Sequence, residues 1–188
     1  MEEQRQLAAQ EATAMPDLSS QEQEAMHSLF DTYHLREESV RPDGNCLYAA
    51  VASQLSNITS QAVNCLILIP LNQQYDYKKL RSTAADYIKL NKEEFEPFLS
   101  PDDVSIAKDI ESYCKEIEDT AIWGGELEIT AISHALDMTV EIYSNRSRTP
   151  MVINPRSDNK DQDRVIRLAY YQHLYGLGQH YNSLYRRV

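Results

Sequence analysis

Apolar residues recur every three to four positions over the first two thirds of the chain and every second position over much of the last third. The first period is that of an α-helix with one buried face, the second that of a strand in a half-buried sheet. Ser20 and Gln23 stand at capping-box spacing, and Met26, Leu29, Phe30 and Tyr33 then share a face, which predicts a helix running to about Tyr33. Residues 35–41 are expected to be extended as the chain approaches Pro42. A second helical period begins at Cys46 and carries Leu47, Ala50, Val51, Gln54 and Leu55, ending at about Leu55. Ser56–Tyr75 reads as an inserted loop with one short helix. Asp76 is placed to cap a helix to about Asn91, and further helices are predicted over Glu93–Leu99 and from Pro101-Asp102-Asp103 to about Glu118.

Trp123-Gly124-Gly125 is a turn, and Glu126–Leu136 has a helical pattern. Strand alternation follows, with Met138, Val140 and Ile142 against Thr139, Glu141 and Tyr143. Pro150–Ile153, Val165–Tyr171 and His180–Tyr185 are the other strand candidates, separated by the polar run 156–163 and the turn Gly176-Leu177-Gly178. Helices first and strands last predict an α+β fold, with a small mixed β-sheet packed between helices. Residues 1–19, rich in Glu, Gln and Ala and interrupted by Pro16, read as an N-terminal extension, the end of a helical or coiled-coil region; residues 20–188 form the domain proper.

Charge narrows the partners. The formal net charge is −11; residues 1–40 hold nine acidic and two basic side chains, hence −7, and the rest of the chain holds the other −4. Such acidity disfavours unassisted binding to nucleic acid and suits a partner with a basic face. The longest apolar run, Cys65–Leu71, is far short of the about 18 residues of a membrane-spanning helix, and the start Met1-Glu2-Glu3-Gln4 is unlike a signal peptide. No membrane association is therefore expected. Cysteines at 46, 65 and 114 have neither disulfide-framework nor zinc spacing, so reduced thiols in the cytoplasm or nucleus are expected. The histidines show no metal-ligand spacing and no phosphate-binding loop is present, so no metal or cofactor is expected.

Two segments carry chemistry. In Asp43-Gly44-Asn45-Cys46-Leu47-Tyr48 a cysteine follows a tight turn and opens a helix, where unpaired N–H groups and the helix dipole favour a thiolate. The thiol pKa is expected to fall there, and the N–H groups of residues 43–46 are expected to receive an oxyanion, with Gly44 allowing close backbone approach. The plain alternative is a cysteine buried at a helix start. In Gly178-Gln179-His180-Tyr181-Asn182-Ser183, strand alternation puts His180 and Asn182 on one side, so the amide can orient the imidazole. His173 is the rival base but has Tyr175, not a polar partner, two residues on. Cys65, in an apolar run, and Cys114, on a helix near Tyr113 and Ile117, read as packed thiols, and His134 as a hydrogen-bonded, half-buried helix residue; Trp123 is equally a core or a channel residue.

These segments, with Trp123-Gly124-Gly125-Glu126-Leu127-Glu128 between them, resemble in order the three motifs of the OTU (ovarian tumour) family of deubiquitinating cysteine proteases, over about residues 35–186. The resemblance implies an OTU-type cysteine protease fold that hydrolyses isopeptide bonds at the ubiquitin C-terminus through an acyl-enzyme. It implies Cys46 as nucleophile, His180 as base then acid, Asn182 as orienting group, and Asp43 as the residue shaping the loop and oxyanion hole with Gly44 and Asn45. Trp123, Gly124, Gly125, Gly178 and Tyr181 are expected beside the substrate tail. The acidic helical start resembles the branch called OTU-domain-containing protein 6, which carries a coiled-coil extension and is linked to ribosomes and translation. The other reading left open is a catalytically weak ubiquitin-binding or scaffolding module on a larger assembly.

Overall fold

Asp17, not Ser20, starts the first helix. Its carboxylate accepts the Ser20 N–H at 3.1 Å and the Ser20 hydroxyl at 2.6 Å, so the predicted cap is the third residue of the helix, inside its first turn. The structure, a computed structural model, describes residues 17–61, 75–99, 109–157, 164–175 and 178–187. Helix α1 (Leu18–Thr32) leads into strand β1 (Leu35–Glu38), then α2 (Cys46–Gln61), α3 (Tyr77–Leu90), the single turn α4 (Lys92–Phe95), α5 (Ile110–Asp119) and α6 (Glu126–Leu136). Strands β2 (Thr139–Tyr143), β3 (Met151–Ile153), β4 (Val165–Tyr175) and β5 (Gly178–Arg186) complete the chain.

The strands form one five-stranded sheet in the order β1-β5-β4-β2-β3. It is mixed, because β2 runs parallel to β4 and every other pairing is antiparallel. Alternation along the strands divides the core in two. Val140, Ile142, Ile166, Leu168 and Tyr181 pack with α2, α3, α5 and α6, while Tyr143, Ala169, Tyr171 and Leu184 pack with Met26 and Phe30 of α1. Burying these two α1 side chains contributes roughly 1.5–3 kcal/mol each. Polar staples add direction: the buried Glu22 carboxylate of α1 accepts the N–H groups of Gln172 and His173 at 2.8 and 2.7 Å, where β4 is irregular. This α+β sandwich is the predicted class.

Several boundaries differ from the pattern reading; β4 runs on to Tyr175 rather than Tyr171, and β5 already starts at Gly178, which the pattern placed in the turn. Helix α2 runs to Gln61 rather than stopping at about Leu55, because residues 56–61 contain no Gly or Pro and Ile58 still reaches the core. The helix predicted over Glu93–Leu99 splits into α4 and a 3₁₀ turn, Glu96–Phe98, since Pro97 has no N–H to continue an α-helix. The extended approach to Pro42 becomes β1, an edge strand paired with β5. The rest of the predicted inserted loop, and the helix start at Pro101–Asp103, lie outside the described residues.

Candidate active site

The loop before Cys46 is a closed hydrogen-bonded unit. Asp43 donates its N–H to Arg41 O at 2.9 Å, its Oδ1 accepts the Asn45 N–H at 2.8 Å, and its carbonyl accepts the Cys46 N–H at 3.1 Å. Asp43 thus shapes the loop, as an Asx turn does. Gly44 has a steric cause: a Cβ there would lie 1.7 Å from the Ala121 carbonyl oxygen, so only glycine lets the loop abut the segment leading to Trp123. Of the four N–H groups in residues 43–46, three are engaged within the loop; that of Gly44 has no partner among the described residues. The oxyanion donors read from the sequence are therefore mostly occupied in this conformation.

A residue outside the predicted set secures the loop. Arg81 of α3 is 2% exposed and spends its guanidinium on four acceptors: Gly44 O at 2.7 Å, Asn45 Oδ1 at 2.9 Å, Ile122 O at 2.8 Å and Ile117 O at 2.9 Å. Its plane lies over the Tyr48 ring at 4.3 Å. One planar donor fork thereby joins the cysteine loop, the end of α5 and the approach to Trp123. A signal existed in the sequence, for Arg81 occupies the same helical stripe as Ala84, Ala85 and Ile88, where a charge needs partners.

The thiol of Cys46 is buried at the start of α2. Its pKa is raised, not lowered as helix-start chemistry predicts. Burial raises it most, the N–H groups of Tyr181 and Leu47 oppose that, and the Asp43 carboxylate adds to it. Desolvation of the anion outweighs the helix-terminus effect here. The Tyr181 N–H that opposes burial at the thiol belongs to the residue directly after His180 on β5. Helix α2 is held to the same strand by the Ser183 hydroxyl, which donates to Ala50 O at 2.8 Å.

His180 is 2% exposed, and burial pushes its pKa below the ordinary imidazole range, against the opposing effects of Asn182, Glu37 and Asp43. Its Nε2 lies 2.7 Å from Asn182 Oδ1. That same oxygen accepts the Val40 N–H at 2.8 Å, and Asn182 Nδ2 donates to Glu37 Oε1 at 2.8 Å. A backbone N–H can only donate, and a carboxylate can only accept when ionised, so the amide orientation is determined at both ends. It follows that Nε2 carries the imidazole proton and Nδ1 is the free base. The Tyr175 ring meets the imidazole edge-on with centroids 4.7 Å apart. Glu37 was not among the residues singled out in the sequence; an acidic residue on a short edge strand has no distinguishing pattern.

The residues expected beside a substrate tail separate. Trp123 is 42% exposed and its ring covers Gly178, where φ is +106° and a Cβ would fall 2.8 Å from Cη2. Gly124 instead packs on α2, its would-be Cβ 2.6 Å from Leu47 Cδ2. Gly125 caps α6, with Glu128 Oε2 accepting its N–H at 2.6 Å. Tyr181 points into the core against Tyr170, with ring centroids 5.1 Å apart. Gly124 and Tyr181 thus serve packing and Gly125 serves the helix start. Cys114 is fully buried and burial raises its thiol to about 11, as suits an inert side chain. His134 on α6, its pKa drawn down by burial, meets the Tyr87 ring of α3 edge-on. Cys65 lies outside the described residues.

Comparison with known proteins matches residues 41–181 to the family model of OTU-like cysteine proteases. The chain is 37% identical over 178 residues to OTU domain-containing protein 2 of Saccharomyces cerevisiae, covering 95% of this chain and 54% of that protein. It is 32% identical to the human deubiquitinase OTUD6B, covering 89% of this chain and 52% of the relative, and 33% identical to the ubiquitin thioesterase otu2 of Schizosaccharomyces pombe, covering 91% and 52%. The chain thus spans about half the length of these relatives. In fold it is similar to the OTU domain of OTUD1, with a TM-score of 0.62, 20% identity and coverage of 90% of this chain and 96% of that one. It is also similar to an OTU domain solved in complex with ubiquitin, with a TM-score of 0.55, 20% identity and coverage of 80% and 69%.

Proposed function

This chain belongs to the OTU-like cysteine proteases, matching the family over residues 41–181, and on that premise we propose that it is a thiol-dependent deubiquitinase. The observation that carries this reading is the meeting of the two motifs: α2, which opens with Cys46, is pinned to β5 by the Ser183 hydroxyl on Ala50 O at 2.8 Å, and β5 carries the imidazole whose Nε2 is tied to Asn182. Ubiquitin as substrate rests on what the relatives are named for, a deubiquitinase and a ubiquitin thioesterase.

Cys46 is the nucleophile. With thiol raised and imidazole lowered, the resting pair is neutral, and His180 Nδ1 takes the thiol proton as sulfur attacks the carbonyl of the C-terminal glycine of ubiquitin. The tetrahedral oxyanion meets the Gly44 N–H and any loop N–H that turns outward on binding. Imidazolium then gives its proton to the departing lysine amine, the C–N bond breaks, and a thioester remains. His180 next takes a proton from water, hydroxide adds to the thioester, and sulfur leaves as the thiol with the proton returned. Asn182 holds the ring throughout. Trp123, exposed and lying over Gly178, is the group placed to meet a tail ending in two glycines.

The protein works in the cytoplasm or nucleus on this reading, since free thiols persist there. The part of the N-terminal extension ahead of α1, residues 1–16, serves docking on a larger, ribosome-associated assembly, for which the −7 of residues 1–40 suits a basic protein face. Co-sedimentation with ribosomes, lost when residues 1–16 are removed, tests that assignment. The activity is tested by an electrophilic ubiquitin probe. Covalent labelling should vanish in Cys46→Ala and survive in Cys65→Ala and Cys114→Ala. Retained ubiquitin affinity without labelling would instead make the protein a binding module.

A further inference from the structure

An asparagine cannot by itself do all that an aspartate would beside a catalytic histidine, because it holds the ring but brings no charge. Behind Asn182 stands a carboxylate. Glu37, on edge strand β1 opposite Leu184 of β5, lies outside residues 41–181 and accepts the Asn182 amide N–H at 2.8 Å. Asn182 is 1% exposed, and its three contacts, with Glu37, Val40 N–H and His180 Nε2, form one chain of donors and acceptors.

We propose that Glu37 is a positioning residue whose carboxylate locks the orientation of the Asn182 amide and supplies, one side chain further back, the negative charge that the imidazole would otherwise lack. The proposal rests on the reading of Cys46 and His180 as a catalytic pair. The physical case has two parts. First, without Glu37 the amide is anchored by the Val40 N–H alone, and Asn182 Nδ2 is left buried with no acceptor. Second, among the described residues the groups facing this chain carry no compensating cation. They are Asn182 on β5, Asp43 in the cysteine loop, Tyr175 on β4, and Glu37 itself, whose charge is also felt by Tyr171 on β4. The negative charge of Glu37 favours imidazolium, so it strengthens His180 as a base toward the thiol.

The pairing also explains why this position holds asparagine. An aspartate there would set a second carboxylate oxygen against Glu37 Oε1. The chain therefore accepts either a neutral amide in front of a carboxylate or the reverse, which is a charge arrangement open to exchange.

The test is a double-mutant cycle in the full chain. Glu37→Gln keeps an acceptor but removes the charge. It should lower kcat about tenfold with KM unchanged and move the acid limb of the pH profile to lower pH. Asn182→Asp alone should lose more, through two facing carboxylates. Glu37→Gln combined with Asn182→Asp should regain most of that loss, since the new amide donates to the new carboxylate. Additive losses in the double variant, or an unaltered kcat and pH profile in Glu37→Gln, overturn the proposal. A second readout needs no ubiquitin: the pH dependence of iodoacetamide alkylation at Cys46, followed by peptide mass spectrometry. There the inflection due to His180 should move acidward in Glu37→Gln. Equal profiles sink the proposal even if ubiquitin is cleaved, and a shifted profile sustains it even if another substrate is found.

Discussion

Arg81 offers the sharpest quantitative test of how the cysteine loop is held. Replacing it with Met keeps most of the stem's apolar volume and removes the charge and all four hydrogen bonds to Gly44 O, Asn45 Oδ1, Ile117 O and Ile122 O. Each buried carbonyl stripped of its donor costs about 1–3 kcal/mol. Against that stands the relief of no longer burying a guanidinium, several kcal/mol in the opposite direction. The balance for breaking such a network is about 3–5 kcal/mol of lost stability, a large share of the roughly 5–15 kcal/mol that holds a domain of this kind. Urea unfolding reads it directly. With m of about 1–3 kcal/mol per molar, a 4 kcal/mol loss moves the midpoint down by at least about 1.3 M. Arg81→Lys should recover less than half, because one ammonium cannot span acceptors on three segments. A midpoint for Arg81→Met within about 0.3 M of the unsubstituted protein would refute the account. So would Lys substituting fully.

Other outcomes follow from the site. Asn182→Ala should lower kcat about ten- to a hundredfold while ubiquitin affinity, measured on a Cys46→Ala background, stays within about twofold; collapse of affinity instead would show a substrate contact. Gly178→Ala forces an L-residue to φ +106° and drives its Cβ into Trp123, so KM for a ubiquitin–lysine substrate should rise more than kcat falls, and Trp123 fluorescence should report the displaced ring. Gly44→Ala, whose Cβ would overlap the Ala121 carbonyl, should destabilise by 2 kcal/mol or more on the order of other overpacking lesions, seen as a lowered Tm. For pH, the competent base is neutral imidazole, and burial favours that neutral form; activity therefore rises with pH through an acid limb lying below the ordinary histidine value of about 6.5. A limb at pH 7 or above would contradict the burial argument, the apparent values belonging to the Cys46–His180 pair.

Much of this protein is local in origin. Cys46 at a turn-to-helix junction, His180 and Asn182 two apart on a strand, and the helical and alternating periods are properties of neighbouring residues, and the chain displays them directly. What no local pattern contains is which solvent, partner or charge each side chain meets after folding. Burial reversed the expected direction of the Cys46 pKa, because desolvation depends on what packs over the thiol and not on the helix it opens. Arg81 and Glu37 act through contacts 36 to 145 residues away in the chain, and their value lies wholly in those partners. Gly124 and Tyr181 read as substrate-facing but turn inward, since a motif says which residues are needed and not toward which layer they point. Spacing along a chain sets periodicity and reach; only the folded sheet, with β1 and β5 side by side, decides dielectric, orientation and the identity of the neighbour across the gap.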